Sequence, residues 1–159
     1  MALQPTVHAS AVLFGARAVL IRGPSGSGKS QLARQLIEHQ RGNRSGFVRL
    51  VGDDRVHLEA ASGRLLVRPA ETLAGFLEVR GVGVLRVDHE PAAVVGLVVD
   101  LNAADAERLP EPERQRVEIE GVVLPRLAVA AGAAALPVVL AHLTSGQSPA
   151  HFQVRAIGL

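Results

Sequence analysis

One octapeptide, Gly23-Pro24-Ser25-Gly26-Ser27-Gly28-Lys29-Ser30, constrains its surroundings more than any other stretch of this 159-residue chain. It fits G-x-x-x-x-G-K-[ST], a loop whose backbone N–H groups wrap phosphates, whose lysine reaches the outer oxygens and whose hydroxyl ligates Mg²⁺. Such a loop requires a buried strand before it and a helix after it. Ala18-Val19-Leu20-Ile21 is a short apolar run with β-branched residues, as a buried strand should be. Past the loop, Leu32, Ala33, Leu36 and Ile37 recur at helical spacing between Arg34, Gln35 and Glu38. The helix N-terminus adds its partial positive charge toward the phosphates. Of the 17 basic residues Lys29 is the single lysine, so a compact ammonium stands where a planar guanidinium would need more room.

Composition narrows the function classes. Hydrophobic residues make up 48% and charged ones 20%, which fits one globular domain with a proper core and excludes a disordered chain. Net charge is only +2, and with no Tyr or Trp and four Phe there is no stacking platform for single-stranded nucleic acid. The absence of Cys excludes disulfides, thiolate metal sites and a cysteine nucleophile. Met1-Ala2-Leu3-Gln4-Pro5 lacks a basic, apolar signal pattern, and no apolar run reaches membrane-spanning length. The expectation is a cytoplasmic protein with neither nucleic acid nor membrane as a partner.

The pattern predicts a strand over Thr6–Phe14, turning at Gly15-Ala16-Arg17 into a strand over Ala18–Arg22. That hairpin would bring His8 near the phosphate loop. A helix runs from Ser30 to about His39, followed by a polar loop over Gln40–Gly46 and a strand over Phe47–Val51. Arg55–Glu59 and Arg64–Arg68 form a hairpin around Ala60-Ala61-Ser62-Gly63, and Val94–Leu101 is an apolar strand. Ala103–Leu109 is helix-prone, Val117–Val123 reads as a strand, and Ala133–Leu143 as a helix interrupted at Pro137. Residues 1–143 form the expected catalytic domain and 144–159 an irregular tail.

A phosphate loop needs a carboxylate at the end of a neighbouring strand to organise Mg²⁺. Asp53-Asp54 supplies two, directly after Phe47–Gly52. Adjacent strand residues point to opposite faces, so both reach one site only where the strand ends. One then sits on the metal side while the other approaches an acceptor hydroxyl as base. Which does which is open at this level. Glu78-Val79-Arg80-Gly81-Val82-Gly83-Val84 sets an acid and a base beside two glycines, a pattern that also suits a tight turn.

Together, His8-Ala9-Ser10, the loop, Asp53-Asp54 and Leu77-Glu78-Val79-Arg80-Gly81-Val82-Gly83 resemble the catalytic domain of bacterial HPr kinase/phosphorylase over about Val7 to Val129. The loop alone is generic; a double Asp followed by L-E-[VI]-R-G-x-G is close to diagnostic. The resemblance implies an α/β P-loop nucleotide-binding domain of the HPr kinase/PEP carboxykinase-like type, a mixed sheet with a helix after the loop. It implies ATP as donor, Mg²⁺, and a serine on an HPr-like phosphocarrier protein as acceptor, in a homo-oligomer that is hexameric by analogy. It makes His8 an active-site histidine, Lys29 the phosphate lysine, and Ser30 and Glu78 the Mg²⁺ ligands; Asp53 stays a candidate both for the metal side and for the catalytic base. Asp54 becomes proton acceptor in the forward reaction and donor in the reverse. Glu107-Arg108-Leu109 resembles the family's Asp-Arg-Leu stretch, making Arg108 the catalytic arginine.

The departures bear on activity. The resemblance takes in the family's catalytic domain and not its N-terminal domain, so a catalytic core alone is the expectation; Arg41–Gly46 reads as an insertion, and the stretch after the glycines is shortened to Leu85–Pro91. Where the family carries P-V-x-x-G-R-N, tied to dephosphorylation, this chain has Pro125 to Ala133 with Ala133 after Gly132. Kinase chemistry is therefore better supported than phosphorylase chemistry. Two other classes share the loop: a P-loop kinase acting on a small metabolite, which usually carries a basic lid not evident here, and an ATP-sensing module without turnover.

Overall fold

The structure, a computed structural model, describes residues 5–41 and 46–145. Its strands are β1 (Val7–Phe14), β2 (Arg17–Arg22), β3 (Val48–Gly52), β4 (Arg55–Ala61), β5 (Arg64–Pro69), β6 (Phe76–Val79), β7 (Gly83–Arg86), β8 (Ala93–Leu101), β9 (Arg116–Ile119) and β10 (Val122–Val129). The helices are α1 (Lys29–Arg41) and α2 (Ala135–Thr144).

β1 lies antiparallel to both β2 and β3, while β8 lies parallel to both β2 and β10. Four strands therefore run the same way in the order β3, β2, β8, β10, with β1 reversed between the first two. The apolar runs at Ala9–Val12 and Ala18–Ile21 are buried throughout, because these central strands are covered on both faces. On one face Leu32, Ala33 and Leu36 of α1 and Val139 of α2 pack on Val12, Val19, Ile21, Leu97 and Val99. On the other, β4 pairs with the start of β1 and β5 with the start of β8, so β2, β1, β4, β5 and β8 close into a circuit. Its interior is Ala9, Ala11, Leu20, Val56, Leu65, Val67 and Val98.

This is the expected α/β class, with a mixed sheet and a helix after the glycine-rich loop. Three local expectations change. No helix forms over Ala103–Leu109; these residues are turns, fixed by Ala103 N–H donating to the Val129 carbonyl and by Asp105 pairing with Arg126. Tertiary contacts override the alanine-rich propensity there. The strand over Val117–Val123 is instead a hairpin, β9 and β10, turning at Glu120-Gly121 with both residues at positive φ. Pro137 does not interrupt α2, because it falls in the first turn, where a missing N–H costs no intrahelical bond. Residues 42–45 of the expected polar loop, and 146–159 of the expected tail, lie outside the described residues. Thr144 is the last residue of α2.

Candidate functional site

The four co-directional strands release their following segments along one edge of the sheet. That is where open α/β sheets bind ligands. β2 leads into the glycine loop, β3 into Asp53-Asp54, and the reversed β1 starts there with His8. Gly23 touches Ser27 and Leu101 so closely that a Cβ would sit 2.5 Å from Ser27 Oγ, which restricts the position to glycine. Gly28, at φ 98°, turns the chain into α1 in a conformation other residues rarely adopt.

Asp53 is 3% exposed and is the fastening point of the site. Its Oδ1 accepts from Ser10 Oγ at 2.6 Å and from Ser30 Oγ at 2.7 Å, while its Oδ2 accepts the Glu78 backbone N–H at 3.1 Å. One carboxylate thus ties β1, α1 and β6 together. A burial this complete is tolerable for an acid only because its lone pairs are used.

Asp54 has the opposite character. Its side chain is exposed, and His8 Nε2–H donates to its Oδ1 at 2.8 Å. Its backbone is left-handed at φ 69°, and the Arg55 N–H reaches over it to the Asp53 carbonyl at 2.8 Å. That three-residue turn with positive φ is an uncommon, strained geometry. It is secured by the Ala9 N–H donating to the Asp54 carbonyl at 3.1 Å. The outcome separates adjacent carboxylates: one faces inward to Ser30, the other outward to His8.

Lys29 is 7% exposed and its Nζ donates to the carbonyls of Gly23 at 2.9 Å and Pro24 at 3.1 Å. Burial pulls its ammonium below the ordinary lysine pKa, opposed by the Asp54 and Asp53 carboxylates. His8, Lys29, Ser30, Asp54, Glu78 and Arg80 meet around one cleft of about 480 Å³, to which Ser25, Gly26 and Gly28 contribute loop backbone. Glu78 reaches it because Leu77 and Val79 of β6 are buried and the alternation turns Glu78, and Arg80 beyond it, the other way.

Arg108 is exposed in the turns after β8 and is not among the residues lining the cleft. Arg80 is, along with Arg34, which pairs with Glu38 at 3.1 Å. Sequence reading quoted Arg80 without giving it a role, although its two-residue spacing from Glu78 on a strand was the available signal. Ser30 and Glu78 line the cleft with hard oxygen donors, and buried Asp53 stands behind Ser30, bonded to its hydroxyl. A hydroxyl and a carboxylate are the kind of hard oxygen donors Mg²⁺ takes, commonly with substrate phosphates completing its shell.

A charged network braces the same edge. Asp100, at the end of β8, accepts from Arg22 Nε at 2.7 Å and from Arg126 Nε at 2.6 Å. Arg126 also grips Asp105 bidentately, at 2.7 and 2.9 Å, and donates to the Arg114 carbonyl at 3.1 Å. Burial alone would raise the Asp100 carboxyl, but the hydrogen bonds from Arg22 and Arg126 outweigh it and hold it below the usual carboxylate range.

Residues 1–139 match the family described as the HPr serine kinase C-terminal domain. The chain is 33% identical over 140 residues to HPr kinase/phosphorylase of Streptococcus thermophilus, covering 81% of this chain and 43% of that protein. Against the enzyme of the same name from Neisseria meningitidis it is 36% identical over 132 residues, covering 74% and 39%. It therefore spans less than half the length of these curated relatives. The solved structure of the HPr(Ser) kinase/phosphatase from Coxiella burnetii superposes with a TM-score of 0.69 at 24% identity, covering 88% of this chain and 93% of that one. No helix among the described residues is long and apolar enough to cross a membrane.

Proposed function

The chain belongs to the HPr serine kinase C-terminal domain family, and from that membership we propose that residues 1–143 are an ATP- and Mg²⁺-dependent kinase domain that phosphorylates a serine on an HPr-like phosphocarrier protein. The observation that carries this reading is the division of labour between adjacent acids. Asp53 is bonded to Ser30 beside the phosphate loop, and Asp54 is bonded to His8 at the mouth of the same cleft.

The loop amides and Lys29 bind the phosphate chain, with Lys29 exchanging the Gly23 and Pro24 carbonyls for phosphate oxygens. Ser30 and Glu78 would hold Mg²⁺ from the two sides of the cleft, with buried Asp53 behind Ser30 orienting its hydroxyl. When bound, the ion supplies charge neutralisation on the phosphates. Asp54 accepts the proton of the serine hydroxyl, oriented by His8 Nε2–H on its Oδ1, which leaves Oδ2 for the substrate. Arg80 replaces Arg108 as the cation beside the transferred group, since it lines the cleft.

Reverse chemistry is weak in this reading. Dephosphorylation by inorganic phosphate sets two anions side by side, and unit charges about 4 Å apart repel by about 4 kcal/mol at an effective dielectric of about 20. An arginine would offset this by bidentate grip. None follows Gly132, Arg126 is committed to Asp100 and Asp105, and Arg34 pairs with Glu38, which leaves Arg80 as the one arginine of the cleft lining to serve two anions. A homo-oligomer, hexameric by analogy, belongs to the same proposal.

The test is incubation with γ-labelled ATP, Mg²⁺ and purified HPr, with Lys29→Ala as the control. Label on an HPr serine, absent with the variant, supports the kinase. ATP binding without any transfer would favour a sensing module and overturn it. Phosphate release from serine-phosphorylated HPr under excess inorganic phosphate should be far slower than the forward rate; comparable rates would refute the weak-reverse reading.

A further inference from the structure

β1 opens with two polar residues on one face. His8 and Ser10 alternate with Ala9 and Ala11, which belong to the interior of the strand circuit, so both point to the other side. Val12, next in the same row, packs under α1. His8 lines the cleft and bonds Asp54. Ser10 is fully buried, is not among the residues lining the cleft, and bonds Asp53. Each member of the row thus takes one of the two adjacent acids.

The register explains why a hydroxyl stands here. β1 pairs with β3 as far as Ala11 opposite Gly52, and with β4 at His8 opposite Arg55. Between these pairings the ladder is broken by the Asp53-Asp54 turn with its positive φ. Ser10 Oγ fills the break: it donates to Asp53 Oδ1 at 2.6 Å and accepts the Asp54 N–H at a long 3.4 Å. One hydroxyl has a hydrogen and two lone pairs, so it can make both bonds at once. The bond to the carboxylate is the short, charge-assisted one.

The consequence runs on to Ser30. Asp53 Oδ1 accepts from Ser10 and Ser30 together. A hydroxyl whose hydrogen is spent on Asp53 turns its lone pairs elsewhere, and Ser30 lines the cleft. Of the three partners of Asp53, Glu78 belongs to a two-stranded hairpin and Ser30 faces the ligand. Ser10 sits on a strand in the core of the large sheet and is the fixed one. We propose, on the basis of the kinase reading above, that Ser10 is a positioning residue for phosphoryl transfer. It holds Asp53 where that carboxylate orients Ser30, and through the Asp54 N–H it steadies the turn that sends Asp54 outward. Ser10 touches neither donor nor acceptor and acts through the two acids.

The experiment compares Ser10→Ala, Ser10→Val and Ser10→Thr. Valine and threonine share a shape and differ in the hydroxyl, so the pair separates hydrogen bonding from packing. Without nucleotide or metal, hydrogen exchange at the Glu78 amide, followed by NMR, reports on Asp53, whose Oδ2 accepts that N–H. In the Ala and Val variants it should quicken by about tenfold beyond any change at the buried β2 amides, and in the Thr variant it should stay near wild type. With γ-labelled ATP, Mg²⁺ and HPr, kcat should fall about ten- to hundredfold in the Ala and Val variants, while KM for ATP stays within about threefold. Threonine should recover most of that loss. Wild-type kcat in Ser10→Ala overturns the role, as does Glu78 exchange that Ser10→Ala leaves unmoved, or equal activity of folded Val and Thr variants. Ser10→Ala adds no volume and decides the matter by itself if the larger side chains prevent folding. A wild-type chain that transfers no phosphate fails the kinase reading instead, and the exchange measurement still decides whether Ser10 holds Asp53.

Discussion

Asp53 and Asp54 have the same side chain and adjacent positions, yet loss of each should read out differently. Asp54 makes one exposed contact to His8, so Asp54→Asn should leave stability within about 0.5 kcal/mol. It should cost about 10²–10⁴-fold in the rate of phosphoryl transfer, with ATP affinity retained, because a base is lost and no binding group is. Asp53→Ala removes three hydrogen bonds from a buried carboxylate and leaves the Ser10 hydroxyl hydrogen and the Glu78 N–H without their acceptor. It should destabilise by about 3 kcal/mol as well as weaken the Mg²⁺ response. Urea denaturation beside single-turnover kinetics separates the two, and equal stability losses would refute the division of labour. Among the arginines, Arg80→Ala should lower transfer at least about tenfold and Arg108→Ala should leave it unchanged, measured with the same HPr assay. A deficit confined to Arg108→Ala would restore that residue to the role its Glu107-Arg108-Leu109 setting first suggested.

At the scale of elements, the β6–β7 hairpin determines whether Glu78 reaches the site. Val82 in its turn and Val84 on β7 are exposed, and the strand opposite Val84 is fastened by the Glu78 N–H to Asp53. If Glu78 is a ligand, Glu78→Gln should lose activity that rising Mg²⁺ partly recovers, since an amide oxygen is a weaker donor to a hard cation. Full activity at ordinary Mg²⁺ would reduce the hairpin to a structural turn. The sequence disclosed the elements around the loop because strand, glycines and amphipathic helix are all local signals, and the Asp53-Asp54 junction was legible from its place at a strand end. The hairpins of residues 76–86 and 116–129 were harder to see. Gly83–Arg86 is short and exposed along its whole length, and in 116–129 the turn at Glu120-Gly121 reads as part of one strand. The alanines of 103–109 misled for a related reason: Arg126, some twenty residues away, pins Asp105. Helical propensity carries no trace of that partner. Nor could spacing alone reveal that Asp54 would turn outward, because that depends on its positive φ.

For the molecule as a whole, the charged network around Asp100 links the end of β2, β8, β10 and the turns after β8. The Asp100 carboxyl titrates lower in the folded chain than in the unfolded one. Its contribution is therefore complete above the unfolded value, near pH 4, and is lost as pH falls through the lower folded value. Urea midpoints should drop on acidification below about pH 4, and Asp100→Asn should flatten that drop while lowering stability at neutral pH. An acid limb equally steep in the variant would assign the effect to other carboxylates. The clasp on Lys29 has a different kind of consequence. This chain carries one ε-amino group, poised at the phosphate loop and made more readily deprotonated by burial. Apart from the terminal amine, Lys29 is the one primary amine that can form a stable amide with an acylating reagent, and one delivered on a nucleotide would tag it directly. Mass spectrometry of that adduct, with and without competing ATP, turns the scarcity of lysine into a built-in occupancy meter for the donor site.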